Sequence, residues 1–531
     1  MPYAHEVKNG TVIDTMWDPK YREELIRRRS AAMNGGGERR IAGQHKKGKL
    51  TARERLDHLF DEGSFVEINT LIEAQDTHHG MNAKRIPGDG VVIGYGKING
   101  RVVYASAQDF TVVGGTLGEY HSKKICHIMD MALKMRAPYV SINDSGGARI
   151  EEGISSLDGY SGIFYRNTKA SGVIPQISVI LGPCAGGACY SPAITDYIFM
   201  SKRNANMFIT GPAVVNAVIG ENVTAEELGG ATVHAQKSGV VHFVYDTDED
   251  CLDGVKTLLS YLPENCDEQP PLKIGKARDE SYLLEKIVSD NQRQVYSTRE
   301  VINTMVDFDS FFEIQSEFAK NIIIGLARMD GEVLGIVANN PQGGLAGSLD
   351  IDSAEKAARF VRFCDCFNIP ILTLVDVPGF MPGTQQEHGG IIRRGAKLLY
   401  AYAEATVPKV TLIIRKAYGG AYIAMNSKGM GADIVFAWPI AETAVMGADG
   451  AVAIMNRKEI EEAGNPSARR EYLIRQYEEE FMTPYIAAEK GYIDEVILPE
   501  ETRRKIRSAF EALKLKDRVA AGYRTHGNIP L

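Results

Sequence analysis

The sequence predicts an α/β protein built twice over, and three observations predict it. Its 531 residues repeat themselves at a nearly constant interval. Its β-branched, apolar runs are continuous rather than alternating, the pattern of strands covered on both faces. Those runs alternate with helical periodicities and end in glycine-rich turns, the grammar of a largely parallel sheet. Length alone suggests roughly three or four domains. The repeat lowers that to two.

Four landmarks in the same order carry the repeat. Residues 94–100 read G-Y-G-K-I-N-G and residues 325–331 read G-L-A-R-M-D-G, 231 positions later. Pro138 and Asp144 match Pro370 and Asp376 at a shift of 232, and Pro175 and Gly187 match Pro408 and Gly420 at 233. Upstream, T-A-R-E-R-L…S-F-V-E-I from Thr51 matches S-T-R-E-V-I…S-F-F-E-I from Ser297, with Ser64 and Ser310 separated by 246. The larger shift assigns extra residues to the first half, around 77–90.

Each half then reads as the same series of elements. A β-branched run (102–106 or 333–338) leads through a glycine-rich loop to a helix (119–135 or 353–368). An apolar strand follows (139–143 or 371–375), then a glycine turn and a second helix. A further strand (176–181 or 409–414) runs directly into G-G-A. The seam falls near residues 263–281, where L-P-E-N-C-D-E-Q-P-P-L-K-I-G-K breaks every periodicity and suits an exposed linker. The expected domains are residues 1–270 and 271–531.

Composition narrows the function. Hydrophobic residues make up 44% and charged residues 24%, ordinary for a globular chain, and the net charge of −8 excludes a general nucleic-acid footprint. No apolar run is long enough to span a membrane, and the first residues lack signal- or transit-peptide character. Seven cysteines, with no C-x-x-C pair, suit neither a disulfide framework nor a zinc ribbon, so no metal is expected and the cytoplasm is the default compartment.

The chemistry lies in the glycine turns. G-P-C-A-G-G-A from Gly182 and R-K-A-Y-G-G-A from Arg415 each follow a buried strand and open a helix. Glycine permits a sharp turn and close approach of a ligand. The first helical amides have no intrahelical partner and point outward with the helix dipole, so they suit an oxyanion. Asp144-Ser145-Gly146-Gly147-Ala148-Arg149 and Asp376-Val377-Pro378-Gly379-Phe380 form neighbouring strand-end turns able to supply a second wall. The alternative for each G-G-A is close helix–strand packing alone. No P-loop or dinucleotide fingerprint is present. Ser145 lacks the G-x-S-x-G elbow of a nucleophile.

These segments resemble the carboxyltransferase family of biotin-dependent enzymes. The similarity runs from about Leu25 to the end, through G-G-G-E-R-R at Gly35, H-K-K-G-K-L-T-A-R-E-R-L at His45, Q-D-F-T-V-V-G-G at Gln108 and M-F-I-T-G-P at Met207. It continues through F-C-D-C-F-N-I-P at Phe363, V-D-V-P-G-F-M-P-G at Val375 and A-W-P-I-A-E-T-A-V-M-G at Ala437. Within the family the chain is similar to propionyl-CoA carboxylase β subunits, methylmalonyl-CoA decarboxylase α subunits and the acyl-CoA subunit of transcarboxylase. It lacks the zinc-binding cysteines of the two-subunit bacterial acetyl-CoA enzymes.

The resemblance implies two tandem crotonase-like (ClpP/crotonase) domains and a division of labour. Amides around Gly186 and Gly187 would hold the thioester oxygen of a short-chain acyl-CoA, with Ser145, Gly146, Gly147, Ala148 and Arg149 lining that site. Amides of Gly420 and Ala421 would hold the ureido oxygen of biotin, beside Pro378, Gly379, Phe380 and Gly419. The position of Ile423 bears on acyl-chain preference and carries Asp in many propionyl-selective members; the alternative for it is ordinary pocket lining. Isoleucine departs from that pattern and widens the expected substrate to short acyl chains. Biotin would arrive on a separate carrier protein or domain; Lys134-Met135 sits in a helical pattern and is rejected as an attachment site. The implied partners are a biotin carboxyl carrier and biotin carboxylase, or the membrane subunits of a sodium-pumping decarboxylase. The implied assembly is a homo-hexamer in which the first half of one subunit faces the second half of another.

Three further readings stand against this one: the decarboxylating version, a crotonase-type hydratase or isomerase, and a non-catalytic CoA-binding assembly subunit. Arg39, Arg40, Lys46, Lys47 and Lys49 form a basic cluster that suits CoA phosphates, a solvated face or a subunit contact. Thr51 and Glu54 are placed to cap the next helix reciprocally.

Overall fold

Two eight-stranded sheets repeat one another strand for strand. The computed structural model describes residues 17–75, 86–276, 279–519, 522 and 525–530. The first sheet contains β1 (Val66–Ile68), β2 (Val91–Ile98), β3 (Arg101–Gln108), β4 (Tyr139–Ser145), β5 (Gln176–Ala185), β6 (Tyr197–Ser201), β7 (Asn206–Phe208) and β8 (Phe243–Tyr245). The second contains β9 (Phe312–Ile314), β10 (Ile322–Met329), β11 (Glu332–Asn339), β12 (Ile371–Val377), β13 (Lys409–Tyr418), β14 (Ile434–Ala437), β15 (Glu442–Ala444) and β16 (Glu495–Val496).

The strand order is β1-β2-β3-β4-β5-β6-β8 with β7 on β5, and β9-β10-β11-β12-β13-β14-β16 with β15 on β13. The first three strands of each sheet are antiparallel and the rest parallel. Asn99-Gly100 and Asp330-Gly331 close the β2–β3 and β10–β11 hairpins with positive φ at both residues, the two-residue turn that N-G and D-G favour. Asp61 accepts the amides of the first turn at 3.1 and 2.9 Å, and Asp307 those of the second at 3.0 and 2.7 Å.

The expected strands and helices are present, with two instructive differences. The helix expected over 353–368 spans Ile351–Cys366, started by Asp350 as N-cap. The strands expected to stop at 181 and 414 run on to Ala185 and Tyr418. Pro183 and Gly182 read as turn residues, but the short strands β7 and β15 pair with the extensions and hold them extended. The extra residues of the first half lie between β1 and β2, and those numbered 76–85 are outside the described residues. The capping box forms: Thr51 and Glu54 each accept the other's amide, at 3.3 and 2.7 Å.

One apolar cluster runs through both halves, from Leu56, Val140 and Phe199 to Phe360, Ile371 and Ala421. Phe243 stacks on Phe312 across the seam at 4.8 Å, and Tyr197 meets Phe363 edge-on at 4.6 Å. The C-terminal segment straps the same seam. Asn528, 1% exposed, donates to Asp196 at 3.0 Å and through its backbone to Ser171 at 2.9 Å. His526 faces Asp365 at 3.0 Å, and Arg362 donates to Gly527 O at 2.9 Å.

The strap carries a pH signature. Asp365 and the carbonyl of Gly527 raise the His526 imidazole against the opposing effect of burial. His526, Arg518 and two backbone amides hold the Asp365 carboxyl down, again against burial. A raised base stabilises the fold below its unfolded value of 6.5 and loses that contribution as pH climbs through the folded value; a lowered acid contributes above 3.8. His526→Gln is therefore expected to destabilise by about 1 kcal/mol. The deficit should be largest between about pH 4 and 6.5 and shrink above it, as read by denaturant unfolding at a series of pH values.

Candidate active site

Each sheet builds one site where its central strands fall out of step. Asn143 faces Ile180, but the next pair is Ser145 with Cys184, so β4 advances two residues while β5 advances four. The second half repeats the step: Val375 faces Ile413 and Val377 faces Ala417. A bulge of this kind bends the strand and redirects the chain beyond it. In each half the redirected chain makes a glycine turn into a helix, Gly187–Ile194 or Gly419–Ala424.

Gly186 and Gly419 adopt φ of +61° and +59°, a region that costs other residues strain. Gly187 and Ala188, and likewise Gly419, Gly420 and Ala421, belong to the first turn of their helices, where amides have no intrahelical acceptor. The Gly186 amide itself donates to Phe208 O at 3.1 Å, so the available first-half donor begins at Gly187.

The second wall is the strap over each strand end. Leu117 bridges Ala148 and Leu349 bridges Phe380, both parallel and 232 residues apart. Leu117 donates to Gly147 O and accepts from Arg149, both at 2.9 Å; Leu349 donates to Gly379 O at 3.0 Å and accepts from Met381 at 2.7 Å. Alternate residues of a parallel ladder point to opposite sides, so the Ala148 and Phe380 amides face away from that partner. Each site thus offers a helix-start amide and a strap amide. A preorganised donor of this type is worth on the order of 3 kcal/mol to a developing oxyanion. Sequence does not single out the strap amides, because a backbone N–H in a bridge has no residue-type signature.

Side chains near the turns mostly support the backbone. Ser145 is fully buried and accepts the Gly147 amide at 3.1 Å, which fits a turn-forming role rather than a nucleophile. Arg149 turns inward, with Asp89 at 2.7 Å, Glu152 at 2.6 Å and Thr116 O at 3.0 Å. Burial pushes the Asp89 carboxyl up to about 6, against the pull of Arg149. Lys49 leaves the basic cluster and is buried 2.6 Å from Asp144; burial pulls its ammonium down against that carboxylate. Arg39, Lys46 and Lys47 stay exposed. Ile423, 45% exposed, stands at the surface just beyond Gly420.

The glycines differ in what a side chain would meet. A Cβ on Gly187 would lie 2.8 Å from the Tyr160 ring, so packing alone requires glycine there. A Cβ on Gly420 would meet nothing within 4 Å. Packing within the chain does not explain that glycine.

The carboxyl transferase domain profile matches residues 43–529. The chain belongs to the carboxyl transferase family. This carboxyltransferase is 54% identical over 512 residues to the propionyl-CoA carboxylase carboxyltransferase subunit of Haloferax mediterranei, covering 96% of the chain and 99% of the relative. It is 53% identical over 512 residues to the methylmalonyl-CoA decarboxylase α subunit of Propionigenium modestum, covering 96% and 98%. Its fold matches a hexameric transcarboxylase 12S crystal structure with methylmalonyl-CoA and methylmalonic acid bound, with a TM-score of 0.93 and 49% identity over 99% of the chain and 100% of that one. The carboxyltransferase is accordingly a tandem crotonase-like enzyme of the biotin-dependent acyl-CoA class, as the sequence motifs implied.

Gly420→Val separates packing from chemistry. The open space predicts a stability change within about 0.5 kcal/mol. Activity should fall at least about tenfold. Thermal melting and turnover of the same preparation decide it: full activity with the side chain in place would remove Gly420 from the site.

Proposed function

We propose that the carboxyltransferase moves a carboxyl group between carboxybiotin and the α-carbon of propionyl-CoA or a similar short acyl-CoA, with one site of the reaction in each half. The first half (1–270) takes the acyl-CoA, its thioester oxygen lying on the amides of Gly187 and Ala148 as negative charge develops there. The second half (271–531) takes biotin, the ureido oxygen lying on the amides of Gly420 and Phe380. Gly147 and Arg149 fix the first strap through Leu117, and Gly379 and Met381 fix the second through Leu349. Biotin, carried on a separate protein or domain, would supply the carboxyl group and a base for the α-proton, while the Gly420 and Phe380 amides would hold its ureido oxygen. The open face of Gly420 fits a ligand that approaches the backbone closely.

The observation that carries this reading is the pairing of a helix-start amide with a strap amide at the same place in both sheets. The apolar helices Pro212–Ile219 and Ala448–Met455 expose Val218, Ile219, Ile454 and Met455, and suit burial between subunits. A homo-hexamer in which one subunit's first half faces another's second half would bury them and bring unlike sites together. Whether the partner set is a biotin carboxylase or a membrane decarboxylase sets the direction of flux. Seven free thiols suit the reducing cytoplasm, and no helix among the described residues is long and apolar enough to cross a membrane.

Purified chain, free biotin and methylmalonyl-CoA test the reaction directly. Biotin-dependent loss of methylmalonyl-CoA is expected. A folded assembly that turns over neither methylmalonyl-CoA nor malonyl-CoA at saturating biotin overturns the reading.

Ile423→Asp tests the pocket. The ratio of kcat/KM for propionyl-CoA over acetyl-CoA should rise by about fivefold or more, within the range one pocket contact gives. An unchanged ratio removes Ile423 from chain-length selection.

A further inference from the structure

The two halves neutralise the same buried carboxylate with cations drawn from different places. Asp144 and Asp376 are equivalent, both buried, and both are the residue passed over at the strand break. Asp144 lies 2.6 Å from Lys49 and 2.9 Å from Arg55, accepts Gln44 Nε2 at 3.1 Å, and shares Arg55 with Asp248, which stands 2.8 Å from it. In the second half the positions matching Lys49 and Arg55, offset by 246, are Val295 and Val301. The cation there is Arg415, 3.0 Å from Asp376, and its first-half equivalent, offset by 233, is Gly182.

In the first half the space leaves no room for the second-half solution. A Cβ on Gly182 would stand 1.9 Å from Asp144 Oδ1 and 2.6 Å from Lys49 Nζ. Lys49 and Arg55 balance Asp144 and Asp248 in the first half, and Arg415 balances Asp376 in the second. Every cation has been replaced while the carboxylate and the neutrality of its cluster persist. The carboxylate is the element under constraint.

Each carboxylate is also tied to the strand that carries the glycine turn, inside the stretch where ladder pairing is interrupted. Arg55 donates through Nη1 to Asp144 and through Nη2 to Leu181 O at 3.0 Å. In the second half the tie is direct, Lys416 N donating to Asp376 Oδ1 at 3.1 Å. Pro183 stands where Lys416 does and has no N–H, which leaves Asp144 Oδ1 buried without a partner. The opposite side is the same in both halves: Asp144 N donates to Gln108 Oε1 and Asp376 N to Asn339 Oδ1, each at 3.2 Å.

We propose that Asp144 and Asp376 are positioning residues, each setting the register of its glycine-turn strand across the break. They thereby set the place of the amides at Gly187 and Gly420. Neither touches a reacting atom.

Two double variants of the full chain test this with free biotin and methylmalonyl-CoA. Asp376→Asn with Arg415→Met removes both charges of the second pair. Asp144→Asn with Arg55→Met removes the first pair and leaves Lys49 and Asp248 balanced. Both should melt cooperatively with wild-type assembly size, yet lose about tenfold or more in activity through misplaced donors. Resting on the division of substrates proposed above, KM for biotin should rise in the second-half variant and KM for the acyl-CoA in the first-half one. Wild-type kinetics in the doubles, or equal losses for both substrates, overturn the positioning role. Losses confined to the opposite substrate leave positioning intact and overturn the assignment of the halves. If a double variant fails to fold, Asp144→Asn and Asp376→Asn alone are read by amide hydrogen exchange. Faster exchange confined to Gly187 or Gly420 supports the role, and unchanged rates overturn it.

Discussion

A buried carboxylate at the end of a central strand is the constraint on which this fold depends. Burying one charge costs several kcal/mol even after relaxation, and losing its partner costs about 3–5 kcal/mol. Asp144 and Asp376 each sit where the pairing between the two central strands is interrupted, and β7 and β15 take up backbone pairing only just beyond the break. Within the break itself the side-chain network ties the two strands together. Its cations explain why remote segments must dock: Arg55 joins helix Ala52–Leu59 to both Asp144 and Asp248, at the start of helix Asp248–Leu259. In the second half Arg415 comes from the turn-bearing strand itself and reaches Asn291 O and Gln294 O on the segment before helix Thr298–Met305.

The two halves therefore share a frame and differ in its fastening. Lys124 and Lys356, 232 residues apart, show the same conservatism elsewhere. Lys124 donates to Gly88 O at 2.8 Å and Lys356 to Phe318 O at 2.7 Å, each reaching the carbonyls of the loop that leads into the second strand of its sheet. Duplicated polar ties persist where a loop or strand end has no regular ladder to hold it. The apolar cluster running through both halves then fixes one unit against the other, and the strap at Asn528 closes the seam.

Much of this is legible in the sequence. The repeat, the parallel strands, the capping box at Thr51 and the positions of both glycine turns come from periodicity and residue type. The strand extensions past Leu181 and Ile414 are not legible, because their partners β7 and β15 are three-residue strands with no periodicity of their own. Lys49 reads as part of a surface cluster; its burial depends on Asp144, 95 residues later and in a different element. Arg149 reads as a ligand contact, yet Asp89 and Glu152 draw its guanidinium inside. Sequence places charged residues on the chain, but only the folded strand ends decide which charges meet.

On the proposed division of substrates, building both sites from backbone amides explains how one duplication would yield two roles. A backbone donor does not titrate and needs no particular side chain, so the donor pair survives while the surroundings change. Those surroundings have changed: Tyr160 crowds Gly187, whereas Gly420 is open and followed by the exposed Ile423. A shared oxygen-holding frame with unlike walls can serve two ligands that have only an electron-rich oxygen in common. A thioester becoming an enolate and a ureido group are such a pair. Discrimination then belongs to the walls, and rate belongs to the frame that the buried carboxylates hold in register.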